Sequence, residues 1–220
     1  LPKISSSNNK AFKSIIKKLS INEIDITAED IGYKIAPLIN SVGRISDPKI
    51  VIDLLTNESK ESIDRLTKKC FEINKERKRL TSSIEEEALE IAKSQYYKGR
   101  KFLVLKKREW HPGIIGIVAS RIVEKFNLPT AILGVANDGK YRGSVRSNSL
   151  IKVNLALEEC SDLLIAHGGH SAAAGFSINE ENIVKLMERL DQIARYQFGN
   201  IVLNKTIKPD AHVCLADINN

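Results

Sequence analysis

The stretch that decides the fold is residues 101–147, KFLVLKKREWHPGIIGIVASRIVEKFNLPTAILGVANDGKYRGSVRS. It contains short apolar runs bounded by turn residues, which are typical of buried strands. Between two of these runs lies a largely apolar segment that Pro112 can begin as a helix. Asn137-Asp138-Gly139 is typical of a hairpin turn. The predicted elements are strands at 101–105, 129–133 and 140–147 and a helix at 112–126.

The pattern continues beyond this stretch. We expect helices at 152–164 and 180–198, a loop of small residues at 167–175 and a strand at 176–178. Alternation of strands and helices predicts an α/β domain of about 100 residues. The tail from Ile201 predicts the start of a separate, β-rich domain.

A charged segment without Gly or Pro precedes this domain, from Glu58 to Tyr97. Its apolar residues recur three and four positions apart, as on one face of a helix, but Arg77 and Glu87 interrupt the apolar stripe. A continuous helix would span roughly 60 Å at 1.5 Å per residue. The segment therefore predicts a connecting helix, either single or as two helices end to end. A coiled-coil dimer is the alternative.

The first region, residues 1–56, opens with several lysines and no acidic residue and then turns helical. Pro37 and Gly43 are expected to break that helix, which would place Arg44 in a loop. The apolar stretch at 49–55 predicts a further helix. This region has too few strand candidates to be a complete α/β domain.

The composition favours a folded chain, with either a polyanionic partner or merely a basic, solvated surface. Hydrophobic residues make up 42%, and 34 Lys and Arg against 27 Asp and Glu give a net charge of +7, which weakly favours phosphate binding. No apolar run approaches the roughly 20 residues of a membrane helix, and the first residues, LPKISSSNNK, have no apolar core like that of a signal peptide. We expect a cytoplasmic monomer. Because the chain begins with Leu1, we also expect a piece of a longer protein.

The cysteine pattern excludes two further classes. Cys70, Cys160 and Cys214 are too few and too scattered for a disulfide framework or a Cys-x-x-Cys metal site.

The first candidate binding motif is Glu109-Trp-His-Pro-Gly113. Free N–H groups at a helix start favour an anion; His111 could add a donor, and Trp110 could offer a flat face to a base or sugar. The alternative is that Trp110 is a core residue and His111 a helix cap.

The second motif is Tyr141-Arg-Gly-Ser-Val-Arg-Ser147. Alternate residues of a strand share a face, so Arg142, Ser144 and Arg146 are predicted to point the same way. Guanidiniums beside a hydroxyl can bind phosphate in a bidentate geometry. A solvated strand face is the alternative.

The third motif is His167-Gly-Gly-His-Ser-Ala-Ala-Ala-Gly175, where two glycines would let the main chain approach a ligand closely. His170 is predicted to donate to a phosphate beside them. A plain glycine-rich turn is the alternative, and a zinc site of His111, His167 and His170 lacks a carboxylate or thiol at a usual spacing.

The nearest acidic residues to the three motifs, Glu109, Asp138 and Asp162, stand alone. The sequence therefore predicts a site that holds phosphates without visible means to cut them.

At these motifs the sequence resembles the RecJ family, single-strand-specific 5′→3′ DNA exonucleases of the DHH phosphoesterase superfamily. The resemblance rests on WHPGIIGIVASR at 110–121, GSVRS at 143–147, GGHSAAAGFS at 168–177 and IAPLINSVGR at 35–44. It covers nearly the whole chain in the family's order.

The resemblance implies the α/β fold of a DHHA1-type mixed-sheet domain, which a long linking helix joins to a remnant of the DHH domain. The implied bounds are 1–57 for the end of DHH, 58–98 for the linking helix, 99–200 for DHHA1 and 201–220 for the start of an OB-like domain. The catalytic centre, with Mn²⁺ or Mg²⁺ activating water, would belong to the DHH part outside this chain, so the fragment alone should be inactive. Single-stranded DNA, a single-strand-binding protein and a recombination helicase are the implied partners.

The resemblance also implies roles for individual residues, all in substrate binding. Those expected to hold a backbone phosphate near the 5′ end are Ser144, Arg146 and Ser147. Those expected to approach the scissile phosphate are Gly168, Gly169 and His170. Those expected to line the cleft or contact DNA are Arg44, Trp110, His111 and Arg121.

Three departures from the family pattern affect these expectations. Leu38 replaces a common arginine, Val145 replaces a glycine, and His167 takes an aromatic position. Two other functions stay open: a DHH phosphodiesterase acting on short oligonucleotides or cyclic dinucleotides, and a non-catalytic scaffold or DNA-binding module.

Overall fold

A computed structural model describes residues 7–22, 24–148, 151–198 and 214. Three helices open the described chain: α1 (Lys10–Lys18), α2 (Ala36–Ile45), which a π-helical segment (Asp30–Ile35) precedes directly, and α3 (Lys49–Thr56). The predicted break at Gly43 is wrong. Both Gly43 and Arg44 are helical, because Leu38 and Val42 on the same helix are buried in the core and outweigh the cost of about 1 kcal/mol for a helical glycine.

The charged segment forms one continuous helix, α4 (Lys60–Tyr97), of 38 residues. Ser59 caps its start by accepting a hydrogen bond from the Ser62 N–H. The single-helix interpretation is therefore correct.

The second half of the chain builds a five-stranded mixed sheet. Its strands are β1 (Leu103–Lys106), β2 (Thr130–Val135), β3 (Tyr141–Arg146), β4 (Ala166–Gly169) and β5 (Ala173–Ile178), in the order β1-β2-β3-β5-β4. The pair β1–β2 is parallel and the other three pairs are antiparallel. The mixed α/β fold is confirmed.

The helices of this half are α5 (Pro112–Phe126), α6 (Val153–Glu158) and α7 (Ile183–Phe198). The bounds of α5 agree with the sequence prediction. The predicted helix at 152–164 is shorter, since a 3₁₀ turn (Ser161–Leu163) follows α6. The predicted loop at 167–175 is wrong, because most of it pairs as the hairpin β4–β5.

Three hydrophobic clusters hold these elements. The first lies between one face of the sheet and α6 and α7, and includes Val145 and Phe176. The second lies between the other face, α5 and the end of α4. The third joins α1, α2 and α3 to the start of α4. Helix α4 therefore belongs to two clusters and connects the N-terminal helices to the sheet.

The β-rich start expected at 201–220 lies outside the described residues, except for Cys214. None of the helices in the described ranges is long and apolar enough to cross a membrane.

Candidate phosphate-binding site

Strand β3 presents Arg142, Ser144 and Arg146 on the face opposite the first cluster, as its alternation predicts. The Arg146 guanidinium donates from Nη1 to the Ser144 hydroxyl at 3.0 Å and to the Val145 carbonyl at 2.8 Å. Arg142 instead pairs with Asp138 at 2.7 Å. Only the end of the strand near Arg146 therefore offers a guanidinium without a carboxylate partner among the described residues.

Helix α5 lies over this face and leaves room for both side chains at Gly116. A Cβ atom at that position would lie 2.9 Å from Ser144 Oγ and 3.0 Å from Arg146 Nη2. The glycine is thus what allows Ser144 and Arg146 to sit beneath the helix.

The end of α2 meets the start of α5. Arg44 donates from Nη1 to the Gly113 carbonyl at 3.3 Å. A Cβ at Gly113 would lie 1.9 Å from the Arg44 carbonyl oxygen, so the two helices touch through their backbones. Since Gly113 and Gly116 are neighbours on one helix face, Arg44 and Arg146 approach the same turn of α5.

Helix α4, which packs against both α2 and α5, carries a further arginine, Arg77. Burial lowers the pKa of Arg77 below its ordinary value, and the charges of Arg44 and Arg121 lower it further. Burial, followed by the charge of Arg44, also lowers the pKa of Arg146. Arg77 and Arg146 nevertheless keep their positive charge at neutral pH, because a guanidinium loses its proton only in strong base.

We call Arg44, Arg77 and Arg146 the arginine cluster. Within residues 7–22, 24–148 and 151–198, none of the three forms an ion pair with a carboxylate. Like charges held close together without a counterion repel one another. The cluster is therefore suited to an anionic ligand.

The hairpin β4–β5 extends the same face of the sheet. Gly168 pairs with Gly175, which pairs with Ser144, so the three lie in one row across adjacent strands. Gly168 is exposed, and a Cβ there would meet no heavy atom within 4 Å. This row forms an open floor of small residues beside Ser144.

Gly169 differs from its neighbour. Its φ of +145° and the 2.5 Å between a hypothetical Cβ and the Ala174 Cα require glycine at this position. Gly169 thus shapes the hairpin, whereas nothing in the described fold requires glycine at 168.

The hairpin turn lies next to the end of β3. Arg146 pairs with Ala173, and the Ser147 N–H donates to the Ala172 carbonyl at 3.0 Å. His170, in that turn, is exposed and donates its backbone N–H to the Ala173 carbonyl at 2.8 Å. Because paired strands lie about 4.8 Å apart, the fold brings the second and third sequence motifs together.

Trp110 does not present a face to a ligand, and that prediction is wrong. Its side chain is only 2% exposed, and its indole N–H donates to Glu87 at 2.7 Å. This bond, together with Lys107, lowers the pKa of the Glu87 carboxyl. The core alternative is correct, and the bond explains why Glu87 interrupts the apolar stripe of α4.

His111 is the N-cap of α5. Its Nδ1 accepts a hydrogen bond from the Gly113 N–H at 3.0 Å, and the residue is exposed. The cap alternative is therefore observed, while contact of His111 with an anion stays a prediction.

Arg121 is exposed on α5 but pairs with Glu85 of α4. Its predicted contact with DNA also stays a prediction, since a ligand would compete with that carboxylate.

His167 lies apart from the site. It pairs with Phe176, whose side chain is in the first cluster, so His167 points away from Gly168. It is half-buried, with Nε2 3.7 Å from Glu158. In the part of the chain that the structure describes, no three His, Cys, Asp or Glu side chains are grouped to hold a metal ion. The described residues therefore provide no ligand set for Mn²⁺ or Mg²⁺.

Sequence reasoning missed Arg77 as a member of the site. The available signal was the gap that this residue makes in the apolar stripe of α4. A charged residue on the buried face of a helix needs a partner, but the sequence does not show which element supplies it.

Residues 99–195 match the DHHA1 domain family, so this stretch carries a DHHA1 domain. Over most of its length the chain is, more particularly, a homologue of RecJ. It is 34% identical over 196 residues to the single-stranded-DNA-specific exonuclease RecJ of Bacillus subtilis, covering 88% of this chain and 25% of that protein. For RecJ of Escherichia coli the identity is 28%, covering 94% of this chain and 37% of that protein.

Solved structures agree with this relationship. RecJ of Thermus thermophilus in complex with Mg²⁺ superposes with a TM-score of 0.78 at 27% identity, covering 89% of this chain and 30% of that one. A RecJ exonuclease bound to manganese gives 0.77 at 25% identity, covering 92% and 50%. This chain thus spans about a quarter to a half of these relatives.

Proposed function

We propose that this chain is part of a single-stranded-DNA-specific 5′→3′ exonuclease of DNA recombination and repair, and that it supplies the binding of the single strand near its 5′-phosphate. The observation that carries the proposal is that Arg44 and Arg146 approach the same turn of α5, neither with a carboxylate partner among the described residues. Homology to RecJ over most of the chain supports the class of substrate.

The chemistry of the cluster fits a phosphate better than another anion. Arg146 has its guanidinium held along β3 by the Ser144 hydroxyl and the Val145 carbonyl, which fixes its direction. A planar guanidinium held in this way can bind two phosphate oxygens at once. The Ser144 hydroxyl can then donate its own proton to a further oxygen, because it accepts from Arg146.

The open floor fits a sugar–phosphate chain. Gly168 and Gly175 carry no side chain on the face that continues from Ser144, so a backbone can lie close to the sheet. His170 and Ser147 are next to the end of this floor and supply further donors. In this proposal Gly168, Gly169 and His170 approach the scissile phosphate, and Ser144, Arg146 and Ser147 hold the phosphate near the 5′ end.

In this proposal the described residues bind phosphate; they include no group of three His, Cys, Asp or Glu side chains that could hold a metal ion. Because RecJ structures have been solved with Mg²⁺ and with Mn²⁺, we assign the catalytic metal, Mn²⁺ or Mg²⁺, to a part of the whole protein outside the described residues. The proposed task of this chain is to bind and orient the strand, and the chain alone should not cut it.

The substrate class can be tested by fluorescence anisotropy with the 220-residue chain. The ligands are labelled single strands of about 2 to about 60 nucleotides and matching blunt duplexes. These lengths extend from below to above the number of nucleotides that a backbone-binding groove holds. We expect affinity to rise with single-strand length and duplex to bind more weakly. Tightest binding of the shortest strands would instead indicate a phosphodiesterase for short oligonucleotides.

A matched pair of variants on one strand face tests the site. Arg146→Ala should weaken single-strand binding at least about tenfold, or about 1.4 kcal/mol, because it removes a guanidinium without a carboxylate partner. Arg142→Ala should change it less than about twofold, since Asp138 already neutralises Arg142. Equal effects of the two substitutions would remove Arg146 from the site.

A further inference from the structure

A cavity of about 440 Å³ lies between α1 and the start of α4. Two contacts hold the helices together beside it. The Ser14 hydroxyl of α1 lies 3.1 Å from the Thr67 hydroxyl of α4. Further along, Lys18 Nζ lies 5.1 Å from the centre of the Phe71 ring. The residues that line the cavity are Lys10, Lys13, Ser14, Lys17, Glu58, Lys60, Ile63 and Asp64.

The lysines at the start of the chain supply much of this lining. Lys10, Lys13 and Lys17 recur three and four positions apart, which puts them on one face of α1. Lys60, the first residue of α4, lines the cavity from the other helix. All four side chains are exposed. Ammonium groups therefore approach the cavity from both helices.

One of these ammonium groups closes part of the cavity and is neutralised there. Lys10 Nζ donates to the Glu58 carboxylate at 2.8 Å and to the Glu58 carbonyl at 3.1 Å. It thus connects α1 to the segment that leads into α4. Because its charge is already paired, Lys10 contributes to the wall of the cavity more than to the binding of an anion.

The other three ammonium groups have no such partner. Within residues 7–22, 24–148 and 151–198, Lys13, Lys17 and Lys60 form no ion pair with a carboxylate. They share the lining with one further carboxylate, that of Asp64, which lies 3.4 Å from the Ser14 hydroxyl. Three positive charges against one negative charge leave the cavity with an excess of two positive charges.

This arrangement fits a compact dianion better than an extended nucleic-acid strand. A phosphate monoester carries about −1.5 to −2 charges at neutral pH, whereas each phosphodiester of a strand carries a single one. The cavity is also larger than a phosphate group needs, and its volume falls in the range of roughly 300–1,000 Å³ that is typical of small-molecule sites. The Asp64 carboxylate repels a phosphate but accepts hydrogen bonds from hydroxyl groups.

We propose that this cavity binds a small phosphate monoester that carries hydroxyl groups, either a sugar phosphate or a nucleoside monophosphate. In this site Lys13, Lys17 and Lys60 bind the phosphate oxygens, and Asp64 accepts a hydrogen bond from a hydroxyl of the ligand. The site shares no residue with the arginine cluster, so it does not depend on the proposed function.

Calorimetric titration of the 220-residue chain with ribose 5-phosphate and with deoxyadenosine 5′-monophosphate tests the site. Whichever ligand binds more tightly identifies the kind of monoester. Lys17→Gln should weaken its binding at least about fivefold. Lys18→Gln should leave it within about twofold, because Lys18 is exposed on the same helix but lies over Phe71 and does not line the cavity. Equal losses in the two variants, or no binding of either ligand at millimolar concentration, would overturn the proposal.

A further variant separates this cavity from the arginine cluster, which could also attract a phosphate. Arg146→Ala should leave binding of the monoester within about twofold. Loss of binding in Arg146→Ala but not in Lys17→Gln would place the ligand in the arginine cluster and overturn the second site. An ineffective Lys17→Gln leaves the proposed binding of single strands untouched, since that proposal fails only if Arg146→Ala still binds the strand.

Asp64→Ala tests the recognition of the hydroxyl groups. The substitution removes a negative charge, so it should strengthen the binding of inorganic phosphate. It also removes the acceptor for a hydroxyl of ribose 5-phosphate. The affinity for ribose 5-phosphate relative to that for inorganic phosphate should therefore fall at least about threefold. An unchanged ratio would contradict the assignment of a hydroxyl-bearing ligand.

Discussion

Arginines in two regions of the molecule are used differently. Around α7, Arg100 pairs with Glu188 at 2.6 Å, Arg195 with Asp191 at 2.9 Å, and Arg189 with Asp162. In the arginine cluster, none of the three guanidiniums forms an ion pair with a described carboxylate. The residue type is the same, and the presence of a carboxylate separates a structural arginine from one that is available to a ligand.

Asp191 shows what the paired region does for the fold. It is only 4% exposed and accepts the backbone N–H of Lys101 at 2.6 Å and that of Phe102 at 3.3 Å, in addition to Arg195. It thus attaches α7 to the segment that enters β1. The arginines around α7 form ion pairs with carboxylates of the same domain, whereas those of the arginine cluster have no carboxylate partner among the described residues.

The largest expected effect is a loss of stability without loss of binding. Asp191→Ala leaves two backbone N–H groups without their acceptor and should lower the free energy of unfolding by about 3 kcal/mol. Urea denaturation measures this loss. At a temperature where the variant is folded, its affinity for single strands should equal that of the unaltered chain. An accompanying loss of affinity would contradict the conclusion that the charges around α7 are structural and do not bind the ligand.

The same carboxylate predicts an acid dependence. Burial opposes the charge of Asp191, but the hydrogen bond from Lys101 and the contacts with Arg195 outweigh it and lower the pKa below its ordinary value. Because the pKa of Asp191 is lower in the folded chain than in the unfolded one, where it is about 3.9, the carboxylate stabilises the fold above the unfolded pKa. This stabilisation is lost as the pH falls through the folded-state pKa. The stability difference between the unaltered chain and Asp191→Ala should therefore shrink in acid; a constant difference would contradict this account.

The next prediction concerns two adjacent glycines, Gly168 and Gly169, whose substitution should change stability and binding differently. Gly169→Ala forces a Cβ against Ala174 and should cost about 2 kcal/mol of stability. The methyl group added by Gly168→Ala would lie in open space, so the stability should change by less than about 0.5 kcal/mol. Single-strand binding should weaken about fivefold, because the methyl group occupies the surface on which the strand is proposed to lie. Unfolding and anisotropy on both variants measure this, and unchanged binding by Gly168→Ala would remove the floor from the site.

Local patterns in the sequence predict much of the sheet domain. The run from β1 through α5 to β3 is recognised from apolar runs, the helix start at Pro112 and the turn at Gly139, all of which act over a few residues. Of the hairpin β4–β5 the sequence predicts only the strand at 176–178, because Gly and Ala have low strand propensity and the pairing of β5 with the distant β3 decides the rest.

The site was only partly predictable for a similar reason. Ser144 and Arg146 share a face through strand alternation, which the sequence shows directly. Only the packing of α4 against α2 and α5 brings the charge of Arg77 near that of Arg44. Trp110 turns inward because Glu87 offers an acceptor. Tertiary contacts of this kind have no local signal beyond the gaps in the apolar stripe.

The most direct test of the account is the salt dependence of single-strand binding. Each phosphate contact contributes about 0.7 to the slope of log affinity against log salt concentration. Arg146→Ala should reduce the slope by about 0.7, and Arg189→Gln, from the paired region, should leave it unchanged. An unaltered slope for Arg146→Ala, or an equal reduction for both variants, would contradict the claim that the arginine cluster binds phosphate.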